Sequence, residues 1–124
     1  MECPKCAQYM EKISFNGVEI ARCIQCNGMW FDMLEHERLK KMQGSEVIDV
    51  GDKHIGKEYN DVDRINCPQC HTSMIRMVDK DHHHIWYEAC PTCFGVFFDA
   101  GEFRDYKKDS FLDSIKDMLT PARN

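Results

Sequence analysis

No apolar run in these 124 residues approaches the roughly 18 to 20 positions a bilayer-spanning helix needs, so insertion into a membrane is not expected. Nor is there a run of Lys and Arg. The formal net charge is −5, whereas a protein that grips phosphates normally displays a basic face. Nucleic acid is therefore not the expected partner. No positively charged, apolar leader stands before the first cysteine, which falls at position 3. That predicts a reduced, cytosolic chain rather than a secreted disulfide scaffold. A nucleophile paired with a base is also missing, and no enzymatic activity is expected.

What the chain does have is eight cysteines, all in Cys-x-x-Cys pairs: Cys3 with Cys6, Cys23 with Cys26, Cys67 with Cys70, and Cys90 with Cys93. The stretch from Cys23 to Leu39 (CIQCNGMWFDMLEHERL) recurs from Cys90 to Tyr106 (CPTCFGVFFDAGEFRDY). Cys-x-x-Cys, Gly, an aromatic pair, Asp and Glu keep the same order in both. An internal repeat outranks length as a guide to architecture, so two units are expected. Each holds about forty residues, too few for a sufficient apolar core without disulfides or metal. Sixteen residues separate Cys6 from Cys23 and nineteen separate Cys70 from Cys90. Both spacings suit a four-cysteine zinc ribbon. Redox-active Cys-x-x-Cys chemistry would need a surrounding βαβ pattern, which is lacking.

A hairpin explains why the spacing matters, because it returns the chain to its origin. Tyr9 to Phe15 alternates and meets Asn16-Gly17, the signature of a two-residue type I′ turn. The predicted register sets Phe15 opposite Val18, Ile13 opposite Ile20 and Glu11 opposite Arg22, and delivers Cys23 beside Cys3 and Cys6. In the second unit Met74 to Val78 and Ile85 to Ala89 form the hairpin, with Met77 opposite Tyr87 and Asp79 opposite Ile85. Lys80 to His84 is left as the tip. Its three histidines, His82, His83 and His84, could take a transition metal or haem. Successive residues point different ways, however, which favours a plain polar loop. His71 is expected beside its site or exposed, not as a ligand.

Gly28 and Gly95 are expected at positive φ, where the backbone turns away from the metal. Trp30-Phe31 and Phe97-Phe98 are expected to lid the sites and form the small core. Asp32 with Glu35, and Asp99 with Glu102, have the capping-box pattern and should open helices. The first should bury Leu34, Leu39 and Met42, leave Glu35, His36, Arg38 and Lys41 in solvent, and end at Gly44. The second should run from Ala100 to about Lys108. The acidic connection at 44–66 could add a strand, dock on a ribbon or act as a tether, with His54 exposed. A last helix at 109–124 should present Phe111, Leu112, Ile115, Met118 and Leu119 on one side before Pro121 stops it.

At Cys23 to Leu39 and Cys90 to Tyr106 the chain resembles the prokaryotic zinc-ribbon family named after the zinc finger of transcription factor IIB. Pro91, Gly95, Val96, Asp99, Gly101 and Glu102 match its pattern in the second copy, and Gly28, Trp30, Asp32 and Glu35 in the first. The resemblance implies two Zn2+ ions, one held by Cys3, Cys6, Cys23 and Cys26, the other by Cys67, Cys70, Cys90 and Cys93. Two four-thiolate zinc sites would carry the net charge from −5 to about −9. The expected fold is a small, metal-stabilised α+β arrangement of tandem zinc ribbons. The units are ribbon one with its helix at 1–43, an acidic linker at 44–66, ribbon two with its helix at 67–108, and a C-terminal amphipathic helix at 109–124. The expected role is a cytoplasmic protein-interaction adaptor. The alternatives are a nucleic-acid-binding regulator, with Lys12, Arg22, Arg76, Arg104, Lys107 and Lys108 gathered into a patch, and a thiol redox, metal or haem sensor.

Overall fold

The computed structural model describes residues 1–62, 64–79 and 85–108. Strands β1 (Met10–Phe15) and β2 (Val18–Cys23) pair antiparallel in the expected register, with Glu11 opposite Arg22, Ile13 opposite Ile20 and Phe15 opposite Val18. Asn16 and Gly17 have φ of 47° and 83°, the two positive values a type I′ turn demands. The second hairpin pairs β4 (Ile75–Val78) with β5 (Trp86–Ala89), setting Met77 opposite Tyr87. Below its tip the Asp79 N–H donates to the Ile85 carbonyl at 3.0 Å. The tip with His82, His83 and His84, and the final segment with its expected helix, lie outside the described residues.

Each hairpin is followed by a third strand, β3 (Met29–Phe31) in the first repeat and β6 (Val96–Phe98) in the second. These two strands pair with each other, antiparallel: Met29 opposite Phe98, Trp30 opposite Phe97, Phe31 opposite Val96. The order across the molecule is β1-β2-β3-β6-β5-β4, one six-stranded sheet. The repeats are thus related by an approximate two-fold axis through the Trp30–Phe97 pair.

Alternation along the strands divides the core into two layers. Val18, Ile20, Met29, Phe31, Val96 and Phe98 point to one face, where they meet Leu39, Ile48, Phe103 and Tyr106. Ala21, Cys23, Trp30 and Phe97 point to the other, among the cysteines, Ile65 and Met74. Both aromatic pairs are at most 2% exposed, as expected of lids and core.

The helices depart from expectation at their starts. Helix α1 (Glu35–Lys40) begins after Leu34, which has φ 64° and makes no side-chain cap. Asp32 is not the N-cap. Its carboxylate accepts from the Trp30 indole at 3.2 Å and from Gln69 at 3.0 Å, and only the reciprocal half of a capping box survives, Glu35 accepting from the Asp32 N–H at 3.2 Å. Helix α3 covers residues 102–108, preceded by Gly101 at φ 86°. Asp99 likewise turns its carboxylate elsewhere. In both repeats the third residue of Asp-x-x-Glu adopts a left-handed turn, which aims the Asp side chain away from the helix. That turn also rotates α1 relative to the expected stripe, so Leu34 is exposed while His36 is buried against Phe31, Tyr87, Phe98 and Tyr106. Burial holds the His36 imidazole below its ordinary pKa.

The helix also stops at Lys40, short of Gly44, which instead leads into a 3-10 turn at Ser45–Ile48. Ile48 is buried in the core and accepts from Arg22 at 3.0 Å. Helix α2 (Lys53–Asn60) follows, capped by Asp52, whose carboxylate accepts from the His54 N–H at 2.8 Å. The connection therefore docks, and His54 is exposed.

Candidate metal centres

Each Cys-x-x-Cys folds as a knuckle. The residue after its second cysteine is left-handed in all four, with φ of 63° at Ala7, 60° at Asn27, 60° at His71 and 63° at Phe94. This turn lets that residue's N–H reach back to the carbonyl of the first cysteine: Ala7 to Cys3 at 2.9 Å, Asn27 to Cys23 at 3.2 Å, His71 to Cys67 at 2.9 Å, Phe94 to Cys90 at 3.0 Å. Backbone N–H groups inside the knuckles point at sulfur. Gln25 and Cys26 donate to Cys23 Sγ, Gln69 and Cys70 to Cys67 Sγ, and Thr92 and Cys93 to Cys90 Sγ, at 3.3–3.5 Å.

Positive φ thus falls one residue before the expected position. Gly28 and Gly95 are required for a different reason, close approach. A Cβ on Gly28 would lie 2.3 Å from the Phe97 ring, and one on Gly95 2.1 Å from the Trp30 ring. Each knuckle is roofed by the other repeat's aromatic.

The hairpins bring together the two expected quartets, Cys3, Cys6, Cys23 and Cys26, and Cys67, Cys70, Cys90 and Cys93. Within each quartet all sulfurs lie within 4.8 Å of one another. A tetrahedral ion with Zn–S bonds of about 2.3 Å places its sulfurs about 3.8 Å apart. Cys3 and Cys26 are 3.7 Å apart, Cys67 and Cys93 3.7 Å, and Cys6 and Cys23 3.3 Å. No pair is a disulfide. Four soft donors with N–H groups aimed at the sulfurs suit a thiolate-bound ion, and the first quartet leaves only Cys6 half-buried.

The surroundings favour ionisation of one thiol per quartet. The hydrogen bond with Cys3 outweighs burial and, with the Gly28 N–H, brings Cys26 down to about 5. At Cys90 burial opposes ionisation, yet the Cys93 N–H, the Thr72 hydroxyl and the Thr92 N–H overcome it and bring the thiol to about 6. Cys3 in turn is pushed up, by the hydrogen bond to Cys26 and by burial. His71 is exposed and stands outside both quartets.

Two buried polar groups are not apparent from sequence. Lys5, inside the first knuckle, has a fully buried side chain: its Nζ donates to the Tyr59 carbonyl at 2.8 Å and to Asp99 at 3.2 Å, and lies 2.7 Å from Glu88. Burial raises the Asp99 carboxyl to about 7 against the opposing pull of Lys5. Across the two-fold axis Gln69, the counterpart of Lys5, donates to Asp32 at 3.0 Å, in solvent. Asp49 is the other: buried in the connection, it accepts from the Gly101 and Arg104 N–H groups at 2.9 and 3.0 Å and so caps α3.

Compared with known families, residues 2–42 and 66–109 match the model described as transcription factor zinc-finger. No curated protein matches, and no solved structure does. The two matched stretches coincide with the two quartets and their hairpins.

Proposed function

Because this chain belongs to the transcription factor zinc-finger family and holds one zinc ion in each four-cysteine site, we propose that it is a non-enzymatic, cytoplasmic protein-interaction adaptor. Four thiolates close each zinc and leave no open coordination position for chemistry. The ions organise the fold, and function falls to the surface they hold in place. No helix among the described residues is long and apolar enough to cross a membrane.

The observation that carries the proposal is edge strand β4. By register Ile75 faces Ala89 where the first repeat sets Glu11 opposite Arg22. An ion pair in one repeat is replaced by apolar side chains in the other, and Ile75 is 51% and Met77 39% exposed on the same face. An exposed apolar edge strand is a template for a partner's strand or side chains. Four of the six cations of the alternative basic patch are already engaged within the chain, which argues against a phosphate backbone as that partner. Arg22 is spent on Glu11 and the Ile48 carbonyl, Arg76 on the Asn60 carbonyl and the Trp86 ring, Arg104 on the Gly51 carbonyl, and Lys107 on the Met42 carbonyl.

The test places a photo-crosslinking residue at Ile75 and, separately, at exposed Glu19. Capture of one defined protein from Ile75 only, lost in Met77→Asp with both zinc ions retained, is the expected result. Salt-dependent binding of DNA or RNA with no protein captured would replace this role with the nucleic-acid one.

A further inference from the structure

We propose that the two zinc sites fill cooperatively, because each site's knuckles are packed and bonded into the other repeat. Three links cross the two-fold axis. The third strands begin three residues after Cys26 and Cys93 and pair with each other. The Phe97 ring seals Gly28, two residues from Cys26, and the Trp30 ring seals Gly95, two residues from Cys93. Lys5, lying between ligands Cys3 and Cys6, places its buried cation between Glu88 on β5 and Asp99 beyond β6.

An empty first site frees its knuckles, and three things follow in the second repeat. Phe97 loses its seat on Gly28, β6 loses its neighbour, and Glu88 and Asp99 lose their buried cation. Losing the cation beside buried Asp99 is costly, so a chain carrying one ion holds its second repeat less well ordered than a chain carrying two. The same reasoning runs in reverse through Trp30 and Gly95. Coupling between sites is reciprocal, and its usual strength corresponds to about 5- to 150-fold in affinity. Entry of the first ion should therefore tighten the second by a factor in that range. The adaptor role does not depend on this coupling and stands or falls separately.

The experiment is stepwise zinc addition to the reduced, metal-free full chain, with native mass spectrometry counting chains that carry none, one or two ions. Equal, independent sites would leave about half the chains with one ion at half loading, and unequal independent sites still more. The coupled fold predicts a one-ion population well below that level. A one-ion population of half or more would overturn the proposal. Lys5→Gln, which copies Gln69 of the other repeat, separates the buried bridge from strand pairing. It should raise the one-ion population toward about one half, the value for independent equal sites, while the chain still accepts two ions. An unchanged distribution would remove Lys5 from the coupling. If Lys5→Gln cannot hold two ions, the wild-type titration still decides.

Discussion

An added methyl would collide at Gly28 and Gly95, where the space a Cβ needs is already taken by the buried rings of Phe97 and Trp30. Overpacking of this kind costs about 1–3 kcal/mol, so Gly28→Ala and Gly95→Ala should each lower the unfolding free energy of the zinc-loaded protein by that amount in a denaturant titration. Leu34 is the contrasting case. It is an exposed residue at φ 64° where the second repeat has Gly101, and Leu34→Gly should leave stability within about 1 kcal/mol, relief of left-handed strain offsetting the entropy glycine adds to the unfolded chain. Glu102 contributes one part of the pH dependence, beside Asp99. Burial, Asp99 and Asp105 raise its carboxyl to about 7 from an ordinary 4.5, so folding favours the protonated form and its contribution declines as pH rises from about 4.5 to 7. Glu102→Gln should therefore raise the melting temperature at pH 8 and lose that advantage at pH 5. At this scale the sequence marked the right glycines for the wrong reason. The steric demand comes from a ring about 70 residues away in the chain, which local turn chemistry cannot reveal.

Helix α3 owes its start to another part of the chain. Asp49, in the connection, accepts from the Gly101 and Arg104 N–H groups, the task a local N-cap normally performs. Losing an N-cap costs about 0.5–2 kcal/mol, and a buried carboxylate that satisfies two donors belongs at the upper end. Asp49→Ala should reduce stability by about 2 kcal/mol and speed hydrogen exchange in the first turn of α3, with both zinc ions retained. The Asp-x-x-Glu pattern pointed to Asp99 for this cap, because a sequence motif records spacing and not the left-handed residue that redirects the side chain. Hairpins were more legible. Asn16-Gly17 forces its turn type, and the cysteines pin both ends of each hairpin, so the registers through Ile13–Ile20 and Met77–Tyr87 followed. The left-handed Leu34 likewise put His36, a polar residue on a predicted solvent face, into the aromatic core.

Across the whole molecule the two quartets were fully legible, since eight cysteines at these spacings allow few other uses in a reduced chain. The single sheet was not. β3 and β6 are three residues each and apolar throughout, so nothing in Met29–Phe31 or Val96–Phe98 distinguishes a lid over metal from a strand pairing with its own repeat. The sheet makes the ions indispensable to a shared core. A structural zinc contributes on the order of 10–16 kcal/mol in small zinc-finger peptides, while whole domains are stable by about 5–15 kcal/mol. Removing the ions should therefore unfold both repeats, and acid should do the same as protons displace metal from the thiolates. The decisive measurement is native mass spectrometry with elemental analysis, paired with circular dichroism before and after chelation under reducing conditions. Two zinc ions per chain, with secondary structure lost on chelation and regained on zinc return, is the predicted result. A reduced, metal-free chain that keeps its ordered structure would contradict it.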